Sequence, residues 1–323
     1  VTWFFLKRLL SLGVTLVVAS ALVFAVLELL PGNAAQIILG DSATPESLAA
    51  MERKLGLDQP AAARYLHWVG GLLQGRSAQS ISYDVPTFEL IAQRLQVSLP
   101  LALLAMSLTV AIALAAGIYA AARHQQLGDV GVMLASQIGM AVPSFWLAIL
   151  LILGFAVKLG WFSAGGFNGW SEVEGGGLWP GLKSLLLPAL ALAAVQAAIL
   201  ARVTRSAVLD TLREDFVRTA RAKGLSQRAV LWRHVLRNAL VPVLTVGGLQ
   251  FANLIAGTVV VEQVFVLPGV GRLVFQAIAN RDLVLVRDVV LLLAGLVVLV
   301  NFIVDVLYAV VDPRLARGVV GER

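Results

Sequence analysis

From Leu9 to Leu27 the chain carries no charged residue at all. A helix needs about 20 apolar residues to cross the roughly 30 Å hydrocarbon core of a bilayer, and this run has that length. No other feature narrows the fold as sharply. In lipid every backbone N–H and C=O must be satisfied internally, so only helices or closed barrels span it. The run is continuously apolar rather than alternating, which selects a helix. Similar blocks recur down the chain. Hydrophobic residues make up 59% of it and charged ones only 14%, with a mean hydropathy of +0.86. Soluble domains average about 45–50% apolar and about 25% charged.

Read in order, the blocks predict six spans in an all-α integral membrane protein. Residues 1–30 hold a short amphipathic start and the first span. Lys7 and Arg8 precede this span, and Glu28 with Pro31-Gly32 ends it. Val1 reads as a start codon translated literally, since no cleavage site follows the first apolar run. Residues 31–96 form a mixed, nearly neutral region read as a small extracytoplasmic helical cap. Helices are expected from Pro45 and over Ala61–Leu73, the latter with Tyr65, Trp68, Val69 and Leu72 on one face. About 60 residues would support only a marginal core alone. Residues 97–311 hold the remaining spans, at 97–122, 130–157, 185–201, 239–261 and 289–311. Residues 312–323 are a short tail.

The basic residues orient these spans. Two Lys/Arg precede the first span, one follows the second, nine lie in residues 202–238 and three in the tail, fifteen of the 25 in all. Placing these pieces in the cytoplasm satisfies the positive-inside rule and leaves both termini inside. The same rule explains the net charge of +6 and pI of about 10.1 without nucleic acid. Trp161, Trp170 and Trp179 in the outer loop suit the headgroup level, with ligand contact as the alternative.

Much chemistry is missing from the sequence. There is no GxxxxGK[ST] phosphate loop, no HExxH pair, no GxSxG elbow and no cysteine. An enzyme is not expected, and neither a cofactor nor a metal in this chain. Glu28, Asp305 and the Arg287-Asp288 pair fall near predicted span ends, where interfacial placement or capping competes with a functional role. Gln137, Gln196, Gln250, Asn253 and Asn301 are neutral polar residues inside spans. They either bond helices together or line a polar pathway; Gln137, Gln250, Asn253 and Asn301 are taken as the pathway candidates.

The most basic stretch, Asp215–Pro242, has its own shape. Asp215 opens a helix and Arg221 and Lys223 close it, as the macrodipole favours. Gly224 stands where a left-handed residue is wanted, and Ser226 caps a second helix running into the next span. A polar helical hairpin between two spans presents a docking lug to something in solution.

Several separated motifs resemble the inner-membrane permeases of bacterial ABC importers for peptides and nickel. They are Phe216-Val217-Arg218-Thr219-Ala220-Arg221-Ala222-Lys223-Gly224 with Arg233-His234 and Leu236-Arg237-Asn238-Ala239; Gly257-Thr258-Val259-Val260-Val261-Glu262 with Pro268-Gly269-Val270-Gly271-Arg272; Arg281-Asp282; Asp305 through Arg314; and, outside, Leu30-Pro31-Gly32, Ala43 to Glu46 and Leu55 to Asp58. The sequence departs from that family at Arg218-Thr219-Ala220, where permeases at large often have Glu-Ala-Ala, at Gly75-Arg76-Ser77-Ala78, and at Leu283–Asp288.

The resemblance implies a type I ABC importer permease fold in the bacterial inner membrane. It implies a second homologous permease subunit, two ABC ATPase subunits that bind ATP and Mg, and an extracytoplasmic solute-binding protein, beside membrane lipid. Phe216, Ala220 and Leu225 would pack into an ATPase groove, Gly224 would allow the turn, and Arg218, Arg221 and Lys223 would meet acidic residues at its rim. Arg76, Pro268, Gly269, Gly271 and Arg272 would meet the binding protein. Cargo, a peptide or similar small polar solute or a metal chelate, would pass along the third, fifth and sixth spans. An ATP-independent carrier or channel, or a sensor or assembly scaffold, are the competing readings. A carrier calls for internal repeats or mid-membrane charges, and neither is evident.

Overall fold

The computed structural model describes residues 2–29, 35, 39, 43–54 and 56–311. The expected helix stop at Pro31-Gly32, the Leu55 position, Val1 and the tail 312–323 lie outside them. The elements are helical throughout the described residues, apart from an isolated bridge between Gln79 and Pro86. We number them α1 (Thr2–Leu29), α2 (Pro45–Lys54), α3 (Ala61–Leu73), α4 (Thr87–Ala122), α5 (Leu127–Ala141), α6 (Ser144–Lys158), α7 (Leu178–Leu212), α8 (Asp215–Ala222), α9 (Gln227–Val264), α10 (Val270–Ala279) and α11 (Leu283–Val311).

The six expected blocks all lie in helices, but the borders move. The second span starts at Thr87 rather than Val97, so the outer region gives up its last ten residues to α4. The fourth, expected at 185–201, is the 35-residue α7 and takes in Lys183 and the start of the basic segment. The fifth is continuous from Gln227, with a π-turn at Leu231–Val235. The sixth begins at Leu283, which puts Asp288 inside a helix. In the second, fourth and fifth spans polar turns extend a helix beyond its lipid-length apolar stretch, and in the sixth the helix runs through Arg287-Asp288 from an apolar first turn; hydropathy alone does not report these extensions.

The third span is broken. Val142 is extended, as the residue before a proline prefers, and α5 and α6 meet at 102° around Val142-Pro143. The pair still runs from one end of α7 to the other. Asp129 of α5 is bonded to Arg205, while Lys183 sits 5.6 Å from the ring centre of Phe162, just after α6. Lys183 to Arg205 is roughly 33 Å at 1.5 Å per residue, a full hydrocarbon thickness.

α7 is the axis of the bundle, packed against α4, α5, α6 and α9. Its contact with α4 is close because Gly117 lies against Ala201 and Thr204; a Cβ there would stand 2.6 Å from the Thr204 side chain. Small residues at such crossings let backbones approach, which is how helices bind one another in lipid. One core layer joins Leu101, Ala105, Leu185, Leu192, Leu254 and Phe265, and a second, toward the basic end, joins Leu200, Val208, Val217, Val230 and Val235. α1 packs on α11 at the edge, with Arg8 paired to Asp305 at 3.0 Å. Its Leu10, Val14, Val17 and Leu22 stay exposed.

Candidate functional site

The hairpin expected from the sequence is present, and its first helix is fastened to the bundle by two residues. Val217 and Ala220, three apart on α8, are buried in the second core layer. The spacing puts them on one face. Phe216, Arg218, Arg221, Lys223, Gly224 and Leu225 remain exposed, Phe216 at 40% and Leu225 at 37%. Ala220, which the sequence reading sent into a partner's groove, is only 6% exposed and belongs to the chain's own core. Arg218 makes a weak surface pair with Asp215 at 3.3 Å.

Gly224 closes α8 with φ +81°. Its N–H donates to the Arg221 carbonyl at 2.9 Å and the Leu225 N–H donates to the Ala220 carbonyl at 3.3 Å. These two bonds are the Schellman pattern, which requires a left-handed residue at this position. Ser226 then caps the next helix, its Oγ accepting from the Ala229 N–H at 3.3 Å. The turn therefore leaves Phe216 in the first turn of α8 and Leu225 just past its end, both exposed on the same short hairpin as Arg218, Arg221 and Lys223.

A polar tie sits where α7 leaves the bundle for the hairpin. Arg205 donates to both oxygens of Asp129, a buried carboxylate that also accepts from the Gln125 N–H at 3.0 Å. His124 Nδ1 lies 3.2 Å from Asp129 Oδ2 and 3.1 Å from Arg205 Nη2. One turn back on α7, Arg202 donates to Gln137 Oε1 at 2.6 Å. α5 is thus gripped twice by the helix that carries the hairpin. The sequence reading missed Asp129 and Arg205, which are 76 residues apart.

The four pathway candidates have different surroundings. Gln137 is held by Arg202; Gln250 is buried, its Oε1 without a partner; Asn253 and Asn301 are exposed. No hydrogen bond joins any two of them among the described residues. Gln196 shares the condition of Gln250, a buried and unpartnered Oε1.

On the outer side, three carboxylates are buried where the sequence suggested loop or interfacial positions. Glu262 is fully buried and accepts from Ser98 Oγ and from the Arg272 N–H at 3.1 Å. Ser98 in turn accepts from the Val270 N–H at 2.8 Å. Gly269 and Gly271 are buried against the Glu262 side chain and Val259, so they shape this clasp rather than the outer surface. Pro268 is half-buried, Arg272 donates to the Val266 carbonyl at 3.0 Å, and Arg76 is exposed. Asp282 accepts from Ser80 Oγ at 2.5 Å and from the Ser82 and Leu285 N–H groups, each at 3.0 Å. Asp288 accepts from Trp68 Nε1 at 2.8 Å and Thr87 Oγ1 at 2.5 Å, and Arg287 stacks 4.4 Å from the Trp68 ring centre. The outer cap is therefore bolted to α11, and Trp68 holds it at its centre. Among the three loop tryptophans, Trp161 and Trp179 are exposed as interfacial anchors would be, whereas Trp170 donates to the Gln96 carbonyl at 2.8 Å.

Comparison with known proteins places this architecture. Residues 113–317 match the family described as binding-protein-dependent transport system inner membrane component, and residues 1–113 match the N-terminal part of the same kind of membrane component. A putative peptide transport system permease of Brucella suis is 43% identical over 310 residues, covering 96% of this chain and 98% of that one. The di/tripeptide transport system permease DppB of Pseudomonas aeruginosa is 40% identical over 320 residues, covering 94% of each chain. A glutathione transport system permease, GsiC of Salmonella choleraesuis, is 40% identical and covers 96% of this chain and 97% of its own. Among solved structures, an inward-facing form of the MetNI methionine ABC transporter aligns with a TM-score of 0.56 at 18% identity, over 69% of this chain and 96% of that one, which speaks for the fold alone. A multi-pass helical chain without a nucleotide site, matched along its length in this way, belongs to the binding-protein-dependent transport system inner-membrane components, the permease subunits of bacterial ABC importers, in which ATP is hydrolysed by separate ATPase subunits.

Proposed function

We propose that this permease imports short peptides, pairs with a second homologous permease to enclose their path, and is driven by two ATPase subunits that hold ATP and Mg and dock on the α8 hairpin. The hairpin is the observation that carries the reading. Val217 and Ala220 are used up in the chain's own core, whereas Phe216 and Leu225 belong to none of the core clusters among the described residues and stay exposed. An exposed aromatic and an exposed aliphatic side chain on one short hairpin with Arg218, Arg221 and Lys223 suit an apolar groove with an acidic rim. Peptide cargo is supported by the names of the relatives, and the outer loops around Arg76 and Pro268 would receive the solute-binding protein.

In this arrangement closure of the ATPases on ATP pushes the hairpin. The push passes along α7 to α5 through Arg205 and Arg202, and the spans rock as rigid bodies between inward- and outward-open states. The chain has no cysteine, so a single Phe216→Cys or Leu225→Cys is a unique handle. In membranes containing the assembled importer, either should crosslink to an ATPase subunit carrying a cysteine in its groove, and ATP should change the yield. Crosslinking from an outer site such as Arg76→Cys instead, with none from the hairpin, would overturn the reading.

A further inference from the structure

At the outer end of α4 the surface opens into a cavity of about 900 Å³, lined by Gln93, Arg94, Gln96, Phe167, Asn168 and Trp170 among others. Its position is fixed by the core beneath: Val97, in its floor, belongs to the first core layer, and the Ser98–Glu262 clasp follows directly. The loop wall is equally constrained. Trp170 donates to the Gln96 carbonyl, the Phe167 and Trp170 rings meet edge-on at 5.0 Å, and the Gly166 N–H donates to the Phe265 carbonyl at 2.8 Å.

The chemistry of this lining is unusual for the chain. Arg94 is half-buried, its Nε is shut off from solvent with no hydrogen-bond partner, and among the described residues no carboxylate pairs with it. Of the other partly buried arginines, Arg205, Arg64 and Arg287 pair with Asp129, Glu28 and Asp288, although the Nε atoms of Arg64 and Arg287 are likewise buried without a hydrogen-bond partner, and Arg272 is held by the Val266 carbonyl. A buried guanidinium N–H without an acceptor is costly, and a carboxylate is the planar, two-oxygen acceptor a guanidinium fits. The amides of Gln93, Gln96 and Asn168 supply both donors and acceptors, the pair that backbone peptide groups require. The ring pair offers an apolar face that tolerates side chains of many shapes. Sites for small molecules have volumes of about 300–1,000 Å³.

We infer that this cavity is an acceptor site for short peptides entering from the outer side, with Arg94 binding the free C-terminal carboxylate and the amide side chains bonding the peptide backbone. This deepens the peptide reading above and rests on it. A site that reads the terminus and the backbone, and leaves side chains to an open aromatic wall, accepts many sequences of one length class.

The test uses the complete importer, with its ATPases and binding protein, in proteoliposomes. Uptake of one dipeptide is compared with uptake of its C-terminal amide, in wild type, Arg94→Gln and Arg94→Lys. Loss of one charge-assisted pair corresponds to roughly tenfold or more in binding. The preference for the free acid over the amide should therefore shrink about tenfold in Arg94→Gln and recover in part in Arg94→Lys. The binding protein is unchanged across the three, so its own preference cancels from the comparison. An unaltered preference in Arg94→Gln overturns the inference. So does an equal loss of both peptides together with loss of ATPase stimulation by the binding protein, because Arg94 would then be meeting a carboxylate of that protein. If wild type takes up neither peptide while the crosslink to the ATPase is intact, the peptide reading itself falls, and that failure is visible before any variant is made.

Discussion

Arg205 holds Asp129 with two nitrogens at once, Nε to Oδ1 at 2.5 Å and Nη2 to Oδ2 at 2.7 Å. The bidentate geometry fixes the angle between α5 and α7 as well as their distance. Since α7 leads into the hairpin, this pair is a covalent-plus-polar route from the hairpin to the broken third span. Arg202 and Gln137 repeat the link one turn further into the membrane, at 2.6 Å.

Removing one member of this pair should be worse than removing both. Arg205→Ala leaves the Asp129 carboxylate buried with His124 and one backbone N–H, a loss on the order of 3–5 kcal/mol for a broken buried pair. Asp129→Leu with Arg205→Met replaces the pair by apolar volume and should recover most of that. Thermal unfolding in detergent micelles checks the order: Arg205→Ala lowest, the double variant close to wild type. The double variant should nevertheless transport poorly for the ATP it consumes, because stability returns without the geometry.

Gly271→Ala tests the outer clasp. A Cβ at this position would run into the Val259 backbone, which cannot rotate away as a side chain could, and toward the Glu262 carboxylate. Overpacking of this kind costs about 1–3 kcal/mol. The expected result is a lower melting temperature in detergent, with ATPase subunits still copurifying, since the hairpin is at the other end of the molecule.

Trp68→Phe separates the ring from its N–H. The phenyl ring keeps the stack with Phe24 and the contact with Arg287, but Asp288 loses a 2.8 Å bond while buried. Leaving a buried acceptor short of a donor costs about 1–3 kcal/mol. That loss falls on the joint between the outer cap and α11, so protease added from the outside should cut the exposed Asp58–Pro60 turn faster in Trp68→Phe than in wild type. Equal cutting rates would show that the cap is held by Thr87, Ser80 and the ring contacts alone.

How much of this was readable in the chain depends on where each signal is stored. The spans are local facts, carried by consecutive apolar residues, and so is the hairpin, because Gly224 and Ser226 specify a helix end and a helix start within three positions. The start of α4 also had a local signal in Pro86-Thr87 with Glu89 in the first turn, but the polar residues up to Gln96 made it look like loop. The buried carboxylates carry no such signal. Asp288 meets Trp68 220 residues away and Glu262 meets Ser98 164 away, and a single sequence gives an acidic residue near a span end no mark that tells capping from burial. Ala220 was misplaced for a related reason. Its helix was correctly drawn, but which face of so short a helix turns inward is decided by α7 and α9, not by the helix itself.

The sharpest prediction returns to Gly224, because its environment isolates one cause. A Cβ there would meet nothing within 4 Å, so no substitution can fail through a clash at Cβ. What remains is backbone conformation at φ +81°, where an L-residue pays about 1–2 kcal/mol and a β-branched one more. Transport should therefore fall in the order Gly, Asn, Ala, Val, since Asn visits the left-handed region most readily of the three replacements. Membrane levels should stay level across the series, because Val217 and Ala220 still anchor α8. Uptake per ATPase-bound complex in proteoliposomes provides the measurement. If Gly224→Val transports as well as Gly224→Asn, the left-handed turn is dispensable, and the exposed Phe216–Leu225 surface needs no fixed presentation to couple ATP to movement.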